Sequence, residues 1–86
     1  MEVLLQKIKD IINTLNQLSL EDKVHKSHYD FFLGKYNSFK SAIESNDNDL
    51  KKELTEWNKS YASRIVYDGI GNDSLLKKIE ALNNLL

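Results

Sequence analysis

Leu4, Ile8, Ile11, Leu15 and Leu18 recur at steps of 4, 3, 4 and 3, and Leu5 and Ile12 widen the stripe on one side. That spacing keeps apolar side chains on one face of a helix. With good helix formers between them, it predicts an amphipathic first helix over about residues 2–18. Glu2 in its first turn complements the helix dipole. Ser19-Leu20-Glu21-Asp22 and Ser27-His28-Tyr29-Asp30 each place a capping Ser three residues before an acid. A break is therefore expected at Ser19, and a second helix from residue 20 or from residue 28 to about residue 45. The later start is favoured, because a helix from residue 20 would outrun the first by about a third of its length.

The stretch Ser27–Ile43 is the densest run of large apolar side chains, and the chain is organised around it. His25, Tyr29, Phe32, Tyr36, Phe39 and Ile43 form its stripe. Phe31 and Leu33 lie about 100° to either side of Phe32. This arc is wider than one neighbouring helix covers, and Gly34 falls opposite it on the solvent side. Ser45–Asp49 reads as a loop in which Asp47 or Asn48 caps a third helix over about residues 48–67. Its stripe is Leu50, Leu54, Trp57, Tyr61 and Ile65, broadened by Ala62 and Val66, with Tyr67 pointing away. In the turn Asp68–Asp73, Gly69 or Gly71 suits a left-handed position and Asn72 or Asp73 a cap. A fourth helix follows over about residues 74–86, with Leu75, Ile79, Leu82 and Leu86 on one side. The expected fold is all-α: one domain, a small antiparallel bundle of three to four helices joined by short loops.

Composition narrows the function more than it defines it. Eighty-six residues supply one modest core. A net charge of −1 sets up no strong field toward nucleic acid or an anionic membrane. Eleven Lys stand against one Arg, so bidentate phosphate or base-edge recognition has only Arg64 to draw on, and no nucleic-acid partner is expected. Cysteine is absent, which removes disulfides and thiol chemistry. The opening MEVLLQKIKDII has neither a basic lead nor a continuous apolar run, and no apolar run exceeds three residues. The reading is a cytoplasmic protein without a membrane span.

Candidate chemistry is sparse. Glu21, His25 and His28 have the spacing of metal ligands on one face but no fourth partner, so packing or capping histidines are expected instead. Asp47-x-Asp49 lacks the glycine and the distal acid of a calcium loop. Asp68-Gly-Ile-Gly-Asn-Asp has two glycines before a helix, but its acids repel phosphate, and it reads as a turn. No serine is marked as a nucleophile. The expectation is a non-enzyme with no catalytic residues, no metal and no cofactor.

Aromatic residues carry the functional interest. Tyr29, Tyr36, Phe39, Trp57 and Tyr61 are expected in the core. Phe31, Leu33 and Tyr67 fall off the stripes and are candidate partner contacts, together with Asp68 and Asp73. The first expectation is a protein-binding module, an inhibitor, immunity or antitoxin-type protein of bacterial or phage origin, with a protein partner. The alternative is a homo-oligomeric assembly subunit pairing through Leu82, Leu85 and Leu86. Over about a dozen residues, Ser63–Leu75, with its acidic glycine turn beside Tyr67, resembles the small helical immunity proteins of bacterial toxins. Those carry a Tyr-Tyr-Pro turn where Asp68 and Gly69 follow Tyr67 here, so no site residues carry over.

Overall fold

The computed structural model describes residues 2–62, 64 and 68–86. Ile65, Val66 and Tyr67, expected to end the third helix, lie outside the described residues. The fold is a small all-α bundle. Helix α1 spans Glu2–Glu21 and buries Ile8, Ile11, Leu15 and Leu18 on the expected face. It runs three residues past its expected end at Leu18. Ser19 is not a cap but a buried residue inside α1, its hydroxyl donating to Asp30 at 3.3 Å on the facing helix. The reversal falls at Asp22, whose Oδ1 accepts the backbone N–H of His25 at 3.3 Å. Helix α2 then starts at Lys26, two residues before the favoured start at residue 28 and well after residue 20, and His25 stands at its N-cap without a side-chain cap bond.

Helix α2, Lys26–Glu44, buries Tyr29, Tyr36, Phe39, Ala42 and Ile43. Asn46 follows it at φ 58°, a left-handed position that Asn tolerates. Asp47 then caps α3 by accepting the Leu50 N–H at 3.1 Å. Helix α3, Asn48–Trp57, passes without a break into a π-turn over Asn58–Ala62. Gly69 and Gly71 both sit at positive φ, 79° and 89°, where a side chain would be strained. Asn72 caps helix α4, Asp73–Leu85, by accepting the Leu75 N–H at 2.9 Å.

Packing closes the helices into a ring. α1 lies against α2 and α4, α2 against α3, and α4 against the π-turn. The first and last helices run antiparallel: the C-terminal end of α1, at Gln17 and Glu21, faces the start of α4 at Asn72 and Ser74. One continuous core results, in which Ile11, Leu15, Tyr29, Phe39, Leu75, Ile79 and Leu82 are fully enclosed. Burying an aliphatic side chain of this kind contributes about 1.5–3 kcal/mol. No described helix is long and apolar enough to cross a membrane.

Candidate functional site

The third helix is where pattern and structure part. An α-helix throughout would carry Tyr61 to the centre of the stripe set by Leu54 and Trp57. A π-turn needs more residues per revolution, so every position after Trp57 lags in phase. Asn58 and Ala62 become the buried residues, and Tyr61, expected in the core, is 58 % exposed. It emerges beside Phe31, which is 54 % exposed on the flank of α2.

Between these helices lies a groove of about 570 Å³. Helix α2 contributes His28, Phe31, Phe32 and Lys35 to its wall. Trp57, Tyr61 and Arg64 form the opposite wall, with Asp68 and Ile70 at one end. Trp57 is the hub of the rings. It meets Phe32 at 5.1 Å, Tyr36 at 5.5 Å and Phe31 at 6.5 Å, each at 65–72° between planes. Such edge-to-face contacts contribute about 0.5–1.5 kcal/mol each beyond burial. Two cations lie over ring faces. Lys35 Nζ is 5.6 Å from the Phe31 centroid and 5.7 Å from that of Trp57, and the Arg64 guanidinium is 5.8 Å from the Tyr61 ring. This geometry is within cation–π range.

Two polar networks hold the walls in place. Behind the groove, the Tyr36 hydroxyl donates to Asn58 Oδ1, and Asn58 Nδ2 donates to Asn83 Oδ1, tying α2, the π-turn and α4 together. Burial pushes the Tyr36 hydroxyl far above the usual tyrosine range, so it remains a donor. At one end, Asp22 Oδ2 lies 2.8 Å from His25 Nδ1 and accepts the Tyr29 hydroxyl at 2.7 Å. Tyr29 in turn accepts the Gly71 N–H at 3.1 Å, which fixes the loop carrying Ile70. The hydrogen bonds from the His25 ring, then from Tyr29, hold the Asp22 carboxyl below its usual range. Burial first, and Asp22 second, raises the Tyr29 hydroxyl.

The residues singled out by sequence part company here. Phe31 and Asp68 meet at the groove. Leu33 is half-buried and packs against the core from the other flank of α2. Asp73 is exposed in the first turn of α4, away from the groove wall. Tyr67 lies outside the described residues. The pattern missed Lys35 and Arg64. For Lys35 the signal was present: it stands four residues after Phe31, one helical turn on. His25 turns to Asp22 while His28 lines the groove, and among the described residues no three of His, Asp and Glu converge to cage a metal. Across the molecule, a second cleft between α1 and α4 is lined by Lys7, Asp10, Lys77 and Lys78, with Lys78 Nζ donating to Thr14 at 2.5 Å. No protein-family model, curated protein or solved structure matches the chain.

Proposed function

We propose that the protein is a non-enzymatic binding module whose groove between α2 and the π-turn seats a protein partner. The observation that carries this reading is the exposure of Phe31 and Tyr61 on facing walls around Trp57. Large aromatics on a rigid wall are the anchors that protein interfaces favour, because they bury much area for little lost side-chain freedom. Phe31, Phe32 and Tyr36 of α2 pack edge-to-face around Trp57 of α3, so this part of the surface is formed before a partner arrives. An inhibitor, immunity or antitoxin-type role in a bacterial or phage-infected cytoplasm is the form of this reading that fits a small domain acting through one surface.

The test is cross-linking in cells of the source organism, with a photoreactive phenylalanine analogue in place of Phe31. A second variant carries it at Asn16, exposed on α1 away from the groove. A discrete protein adduct at position 31, absent at position 16 and lost with Tyr61→Ala, is expected. Equal labelling from both positions would sink the reading. An adduct made only with a second copy of the chain would replace it with the homo-oligomeric alternative.

A further inference from the structure

The cations of the groove say what kind of partner segment it takes. Lys35 and Arg64 come from opposite walls, and each rests on an aromatic face: Lys35 over Phe31 and Trp57, Arg64 over Tyr61. A cation on a ring keeps its remaining N–H donors for another acceptor, while the ring takes the place of part of its water. His28 adds a further donor on the α2 side, and among the described residues Asp68 is the one carboxylate in the wall. Between the cations the lining is apolar, formed by the rings, and Ile70 continues it at one end. We propose that the groove binds an acidic, apolar-anchored segment of the partner protein, with carboxylates paired to Lys35 and Arg64 and a large apolar side chain seated against Trp57.

This rests on the protein-binding reading above and adds the chemistry of the partner. The same groove is less suited to single-stranded nucleic acid. Base recognition of that kind needs open aromatic faces on which successive bases stack. Here the rings pack edge-to-face on one another, and Lys35 and Arg64 cover faces of Phe31, Trp57 and Tyr61. The chain's net charge of −1 also gives a polyanion no long-range attraction. A segment with a few carboxylates around an apolar anchor needs no such field, since its charges meet Lys35 and Arg64 at contact. The volume, about 570 Å³, lies within the roughly 300–1,000 Å³ of clefts that enclose a ligand.

A displayed library of random peptides selected on the intact wild-type protein, with elution by excess free protein, tests the proposal. Expected is enrichment of peptides combining Asp or Glu with Leu, Phe or Trp. Their affinity should fall about tenfold or more in Lys35→Glu and in Arg64→Glu, with each variant's circular dichroism and melting checked against wild type. Selection on Lys35→Glu should shift the enriched charge toward Lys and Arg. Groove-dependent peptides with no acidic excess would overturn this inference and leave the protein-binding reading standing. Peptides whose binding ignores Lys35, Arg64 and Tyr61, or tighter groove binding by an oligo(dT) probe than by any selected peptide, would overturn it as well.

Discussion

Asp22 satisfies three donors with one carboxylate: the His25 backbone N–H, the His25 ring and the Tyr29 hydroxyl. All three bonds favour the charged form, so the folded protein holds this proton more weakly than the unfolded chain does. Stability from Asp22 is therefore fully present above the ordinary carboxylate range and is lost as pH falls through the lowered folded value. Asp30, lowered first by its bond from Lys26 at 2.7 Å, adds to the same acid limb. In thermal unfolding followed by circular dichroism, the wild-type Tm should drop more steeply below about pH 5 than that of Asp22→Asn. Parallel acid limbs would mean that the cluster forms no tighter with the carboxylate charged.

The π-turn decides which aromatic is core and which is surface. Tyr61→Ala should change stability by less than about 0.5 kcal/mol, as an exposed site does. Had α3 stayed α-helical, the same change would remove a core aromatic and cost about 3–5 kcal/mol. Asn58→Ala should show the reverse economy: a small deletion that strands the Tyr36 hydroxyl and the Asn83 carbonyl and costs about 1–3 kcal/mol. Urea unfolding of the two variants reads both values. The elements themselves were legible because the spacing of Leu and Ile is local and each cap lies within three residues of its helix; Asp47 and Asn72 act as their positions suggested. Helix phase after Trp57 was not. A stripe at steps of three and four assumes 3.6 residues per turn throughout, and the contacts of Asn58 that accompany the π-turn lie 22 and 25 residues away in the chain. Ser19 misled for a related reason: its hydroxyl serves a facing helix, which no local pattern contains.

At the scale of the molecule, α4 closes the ring, supplying Leu75, Ile79 and Leu82 to the core and Asn83 to the network behind the groove. A domain this small has only a few kcal/mol of net stability, and each buried aliphatic accounts for about 1.5–3 kcal/mol. A chain ended after Asn72 should lose its cooperative thermal transition and bind a hydrophobic dye. A sharp melt in that truncation would show that α1 to α3 form a core of their own. The bundle could be anticipated from the pattern of stripes and short loops. The groove could not, because it is assembled from residues 28–35, 57–64 and 68–70, three stretches whose side-chain directions are set by packing.

Trp57 is the sole tryptophan of the chain, and it stands at the hub of the groove. Excited on the long-wavelength edge of indole absorption, beyond the four tyrosines, the protein emits from one ring at the proposed contact surface, with an ammonium 5.7 Å from its centroid. Any occupant that draws Lys35 away or dries the indole alters the colour and intensity of that light. The molecule is its own unlabelled optical gauge of occupancy, and titrations can be read from it directly.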